Sequence, residues 1–151
     1  MHKDRRIYKT LTGILSVLYS GTLIYAVFFA RRRRYINIRM VNFIPVKNTL
    51  NDFRSIHELG MFNFFSNTLG NVFLFIPLSF ILMAFLKIYK LSLIILLGFL
   101  LSFTIELLQY IFKDGVADID DSILNTLGTI IGFFCCRAFS KFIQSRQPLV
   151  V

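Results

Sequence analysis

The chain has 151 residues, 56% of them hydrophobic, with 18 Phe, no Trp and a mean hydropathy of +0.66. A single small domain has too little interior to hide that much apolar surface, which excludes an ordinary soluble globule and points to lipid as the solvent. The net charge of +9, from 17 Lys and Arg against 8 acids, would suit a nucleic-acid partner in a soluble protein. Here the basic residues flank apolar runs, so no nucleic acid is expected and the partner is a bilayer with anionic lipids.

The first apolar run is Leu11 to Ala30, followed by Arg31-Arg32-Arg33-Arg34. It is too long for a signal-peptide core and lacks a small-residue cleavage site, so it predicts an uncleaved transmembrane helix over about residues 8–30. Residues 31–61 form a long basic connection through Asn42-Phe43-Ile44-Pro45. Beyond Pro45, the apolar Val46, Leu50, Phe53 and Ile56 recur at three- and four-residue steps among Lys47, Asn48, Asn51, Asp52 and Arg54. That period predicts a short amphipathic helix on the membrane surface, ended by Gly60.

Three more apolar runs predict spans over about 62–86, 91–112 and 122–139, ahead of a polar tail at 140–151. The links Lys87–Lys90 and Lys113–Asp121 are short, so spans two, three and four form successive antiparallel hairpins. The fold expected is all-α: one domain over 1–151, an integral membrane bundle of about four transmembrane helices with an amphipathic interfacial helix between the first and second. Basic residues divide nine to eight between the two sides, so charge bias barely orients the chain. Both termini are placed inside, because the other side holds nearly all the acids. Cys135 and Cys136 are adjacent in an apolar run and read as packing residues, with S-acylation as the minor alternative. No metal-site spacing occurs, and neither a metal nor a cofactor is expected.

Polar residues inside the spans carry the information about function. Span two begins with Asn63, Asn67 and Asn71 at steps of four. Span three carries Ser102, Glu106 and Gln109. Span four opens with Asp118, Asp121, Asn125, Gly128 and Gly132. Each set falls on one helix face. The order of the hairpins puts all three faces in the same half of the membrane, under the long loop. Glu106 lies six residues before Phe112, about 9 Å into its span at the helical rise. An ionisable group there costs about 2–3 kcal/mol on insertion scales, so it should face the bundle interior with a partner.

Each feature also has a plain structural role. Amides act as interhelical glue in membranes. Asp118, Asp120 and Asp121 suit the start of the fourth helix, and for Asp121 capping is the favoured role. Gly128 and Gly132 have the spacing of close helix packing, and Pro77 predicts a mid-span bend. Glu106 is the hardest to explain structurally, since a less costly amide could serve.

Taken in order, Asn42-Phe43-Ile44-Pro45, Asn67-x-x-Gly70-Asn71-x-x-x-Phe75-x-Pro77, Glu106-x-x-Gln109 and Asp118-x-Asp120-Asp121-x-x-x-Asn125-x-x-Gly128-x-x-x-Gly132 form a pattern. Across about residues 39–132 the chain resembles the VanZ-like family of bacterial membrane proteins. The resemblance implies a multi-pass protein of the bacterial cell membrane. It also implies a role in low-level resistance to glycopeptide antibiotics, teicoplanin in particular, without a settled biochemical activity. It makes Asn42, Asn67, Asn71, Glu106, Gln109, Asp118, Asp121 and Asn125 candidate binding residues, and Gly70, Pro77, Gly128 and Gly132 structural ones. Members often carry Arg just before the first Asp of the last motif. Here Ala117 stands there, leaving Lys113 as the nearby cation.

Three functions are carried forward. The first is a binding or shielding protein whose polar intramembrane pocket takes a lipid-linked cell-wall precursor or a lipid-tailed glycopeptide. The second is an intramembrane enzyme acting on a lipid-linked substrate, with Glu106 and Asp118 or Asp120 as acid and base. His2 and His57 lie outside the spans, and no nucleophile constellation is present. The third is a small oligomeric channel or transporter, for which no inverted repeat is visible.

Overall fold

The structure is a computed structural model and describes residues 2–25, 41–54, 56–59, 61–112 and 117–146. Its elements in chain order are α1 (His2–Tyr25), β1 (Val41–Asn42), α2 (Lys47–Arg54), α3 (Ile56–Leu59) and α4 (Met61–Phe64). A π-helical turn (Phe65–Leu69) follows, then α5 (Gly70–Ala84), α6 (Leu91–Phe112), β2 (Ala117–Asp118) and α7 (Ile119–Arg146). The Arg31–Arg34 run, Gly60, Lys113, the end of the tail and the side chain of Asn63 lie outside the described part.

Among the described residues, three helices are long and apolar enough to cross a membrane: Phe65–Ala84, Leu91–Phe112 and Ile119–Phe142. The 22 residues of α6 reach about 33 Å at the helical rise, enough for a hydrocarbon core. The expected count of four is one more than these. The difference is α1, which opens on a charged turn and whose apolar run continues beyond Tyr25, outside the described residues. The amphipathic helix expected between the first and second spans is α2, which lies between α1 and α5. It is only two turns long, and Leu50 and Phe53 on it are exposed.

Helix α7 is the centre of the bundle. It packs along α5 and, on its other side, along α6, while α5 and α6 scarcely touch. The close approach to α5 is made by glycine. A Cβ on Gly128 would stand 2.1 Å from the Val72 carbonyl oxygen, and one on Gly132 would stand 2.3 Å from that of Ile76. On the α6 side, Gly98 faces Thr129, whose Oγ1 would be 2.6 Å from an added Cβ. Small residues let helix backbones meet in this way, which replaces the hydrophobic drive that lipid does not supply. Phe75, Leu78, Leu82, Ile94, Ile105 and Phe133 fill the core between the helices. Phe73, Phe99, Phe103, Leu107 and Phe134 point outward and are exposed, a surface suited to lipid chains.

The ends of the helices follow local chemistry. Pro77 sits inside α5 and cannot donate to the Phe73 carbonyl. The α5–α6 link turns on Lys87, whose φ of 56° is left-handed, and the Ile88 N–H returns to the Leu82 carbonyl at 3.2 Å. Helix α1 lies at the edge of the bundle, where the Tyr19 hydroxyl donates to the Leu74 carbonyl at 2.9 Å.

Candidate binding site at the loop face of the bundle

The start of α5, the end of α6 and the start of α7 share one face, as the depth argument required, and the 41–52 segment lies across them. Two strands make the first connection. Val41 pairs with Ala117 and Asn42 with Asp118, in parallel. Two residue pairs give little stability on their own. Side chains supply the rest.

Asp118 is the hub. Its Oδ1 accepts from Asn42 Nδ2 at 2.8 Å and from the Asp120 N–H at 3.0 Å. The second of these bonds is an N-cap for α7. Its Oδ2 accepts from Asn48 Nδ2. Asp120 is buried and turns the other way, into the start of α2. Its Oδ1 accepts the Val46 N–H, and its Oδ2 accepts the Thr49 N–H at 2.9 Å and the Thr49 hydroxyl at 3.2 Å. Helix α2 has Val46 at its N-cap position, which offers no oxygen for its free N–H groups. Asp120 therefore caps it from 74 residues away and sets a negative charge at its positive end. Val46 itself is left-handed, with φ 64°, an unfavourable state for a β-branched residue.

The polar stripes meet beneath this clasp. Asn71 Nδ2 donates to Asp121 Oδ1, joining α5 to α7. One partner of Asp121 is thus an amide on a neighbouring helix. Asn67 sits inside the π turn, a distortion common at functional positions, and donates to Asp52 Oδ2 on α2 at 3.1 Å. Asn125 Nδ2 donates to Ser102 Oγ at 2.8 Å, joining α7 to α6. Gln109 is buried at the end of α6. Glu106 is only 6% exposed, and its Oε2 accepts the Asp118 N–H at 2.9 Å.

A pocket of about 320 Å³ opens beside Glu106, at the lower end of the size range of small-molecule sites. Phe103, Leu107 and Tyr110 of α6 form one wall. Val41 and Phe43 form the roof, and Ala117 and Ile119 close the other side. The polar side chains on it are Asn42, Glu106, Tyr110, Asp118 and Ser122. Of the sequence-derived candidates, Asn42, Glu106 and Asp118 line this pocket. Asn71, Asp121 and Asn125 lie in the helix contacts below it. Asn67 lies at the α2 side. Gly70 starts α5 with open space around it. Glycine contacts hold Gly128 and Gly132 at α5.

Sequence reasoning did not single out Asn48, Thr49, Asp52, Ser79, Ser122 or Thr129. Asn48 and Thr49 had a readable signal, being capping-type residues just after Pro45 at a predicted helix start. Ser79 and Thr129 had none: their bond, Ser79 hydroxyl to Thr129 carbonyl at 2.5 Å, depends on where two helices cross.

Set against known proteins, the chain matches the VanZ/LLP1 family over residues 16–140. It is 30% identical over 150 residues to Protein VanZ of Enterococcus faecium, covering 92% of this chain and 81% of that protein. No solved structure matches it. The matched span holds the clasp, the three polar stripes and the pocket.

Proposed function

The chain belongs to the VanZ/LLP1 family, and from that premise we propose that it lowers susceptibility to glycopeptide antibiotics, teicoplanin in particular, in the bacterial cell membrane. It does so by holding an amphiphile, a lipid-linked wall precursor or a lipid-tailed glycopeptide, in the pocket beside Glu106. The pocket faces outward and both termini are cytoplasmic.

The observation that supports this reading is the pocket itself: apolar walls on α6 and the roof strand, with a buried carboxylate at one end. An amphiphile needs both at membrane-interface depth. Asp118 and Asp120 serve the site as clasps. Their carboxylates are engaged by Asn42, Asn48, Val46 and Thr49, which holds the roof over the pocket and leaves them poorly placed to carry protons.

The test compares teicoplanin susceptibility of cells with and without the protein, beside a Glu106→Ala variant of equal membrane abundance. Protection that Glu106→Ala abolishes supports the reading. Protection that survives the substitution removes the pocket from it. Labelling a single cysteine placed at exposed Phe43 with an impermeant thiol reagent, in a Cys135→Ser, Cys136→Ser background, reports the orientation. Absence of labelling in intact cells sinks the outward-facing form.

A further inference from the structure

A helix packed on a soluble protein turns its apolar face inward. Helix α2 (Lys47–Arg54) does the reverse. Its Asn48 side chain donates to Asp118, its Thr49 N–H and hydroxyl donate to Asp120, and its Asp52 accepts from Asn67. The face toward the bundle is thus polar. At about 100° per residue, Leu50 and Phe53 fall about 120° round the helix from that face. They are 47% and 62% exposed. Lys47 and Arg54, both exposed, lie within about 20° of each other, on the side away from the bundle. The helix therefore has three faces: one bonded, one apolar and one basic.

The depth and direction of α2 follow from what its ends touch. Its first turn is held by Asp120, at the start of the apolar helix Ile119–Phe142. Its second turn is held by Asn67, at the start of the apolar helix Phe65–Ala84. Both long helices start from the same side of the bundle, so the two ends of α2 stand at one level and the helix lies in the plane of the membrane surface. In that pose the basic face looks out to the head groups. The apolar flank looks sideways, at the level where acyl chains begin. The flank is also continuous with the surface of α5's span. The Phe53 ring meets Phe64 edge-on at 5.9 Å, Phe64 meets Phe65 at 5.7 Å, and Phe65 is exposed at the first position of that span.

We propose that α2 is a lipid-binding anchor lying flat at the membrane interface. Leu50 and Phe53 enter the top of the acyl-chain region of the leaflet at the loop face, and Lys47 and Arg54 take lipid phosphates, with anionic head groups preferred. Because Asp118 holds both Asn42 and Asn48, the anchor also fixes the pocket roof at this depth. This holds whatever the pocket binds.

The absence of Trp from the chain makes the test direct. Leu50→Trp and Phe53→Trp each place one fluorophore on the apolar flank, and Lys47→Trp places one on the basic face. Phe53→Trp keeps an aromatic ring against Phe64 and serves if Leu50→Trp fails to insert. Each full-length variant is placed in phosphatidylcholine nanodiscs in which part of the lipid is brominated near the top of one acyl chain, a short-range quencher. Emission from the two flank positions should be blue-shifted and quenched about threefold more strongly than from position 47. Equal quenching at the three positions, or red-shifted emission open to acrylamide at the flank, overturns the proposal. Blue-shifted emission without bromine quenching overturns it too, and assigns the flank to a second copy of the chain. In the Leu50→Trp background, brominated phosphatidylglycerol at a low fraction should quench about twice as strongly as brominated phosphatidylcholine at the same fraction. Lys47→Gln with Arg54→Gln should remove that difference. Equal quenching by the two lipids overturns the anionic preference, and a difference that survives both substitutions overturns its assignment to Lys47 and Arg54.

Discussion

Substitution of Gly128 by Ala should be among the most damaging single-methyl changes in the protein. The added Cβ would stand 2.1 Å from the Val72 carbonyl oxygen, 2.9 Å from its carbonyl carbon and 3.1 Å from its Cα. These are backbone atoms of a packed helix, so no side chain can rotate away. The α5–α7 distance must open locally by about 1 Å to relieve the overlap. Opening it disturbs Val72 and Phe75 in the core and the Ser79 hydroxyl bond to the Thr129 carbonyl. Overpacking costs about 1–3 kcal/mol where side chains can yield. With backbone on both sides the upper end applies, and a weakened hydrogen bond adds about 1 kcal/mol.

The expected loss is about 4 kcal/mol, on the order of 10 °C in Tm for a chain of this length. Gly70→Ala is the matched control. Gly70 is already helical, with φ −56° and ψ −45°, and nothing lies within 4 Å of its added Cβ, so a gain of about 0.5–1 kcal/mol in helix propensity is expected. Thermal unfolding of both variants in one detergent, followed by circular dichroism, gives the comparison. If Gly128→Ala melts within a degree or so of Gly70→Ala, the backbone contact between α5 and α7 is not what holds the bundle together.

Asp120→Asn should release the roof. It keeps the shape but removes the charge at the start of α2 and turns an amide toward the Val46 or Thr49 N–H, a cost of about 1.5–3 kcal/mol; limited proteolysis should then cut within residues 41–54 while the long helices stay protected. Asn71→Ala takes the α5 amide donor from the Asp121 carboxylate and should cost about 1–3 kcal/mol in thermal unfolding, with Asn71→Ser recovering part of it. Val46→Gly should not destabilise the fold, because relief of a left-handed β-branched residue, about 1–2 kcal/mol, outweighs the entropy that glycine adds to the unfolded chain; a lower Tm for this variant would show that the exposed valine side chain matters more than its backbone strain.

The sequence by itself determined the solvent and much of the architecture. Runs of Leu, Ile and Phe longer than a bilayer core leave no soluble alternative, and the short links force neighbouring helices antiparallel. Three- and four-residue steps then predict which side chains share a face. From Asn67–Asn71, Glu106–Gln109 and Asp118–Asn125 alone, the polar stripes had to meet at the loop end of the bundle. Gly128 and Gly132 likewise announced a close contact. The sequence could not name the partner helix, and the structure gives it as α5 at Val72 and Ile76.

Partners across the chain were decided only by tertiary structure. Asp118 and Asp120 look from the sequence like a helix start or an acid–base pair. Asp118 does cap the start of α7, and both carboxylates also clasp a segment about 70 residues upstream, a pairing no local period encodes. The π turn at Asn67, the left-handed Val46 and the bond between Asn125 and Ser102 arise the same way, from how three helices and one loop share a small space. The polar cluster was legible because periodicity is a local property of the chain. The pocket beside Glu106 was not, because its walls come from α6, from β1 with its following loop, and from the start of α7, and only packing brings these together.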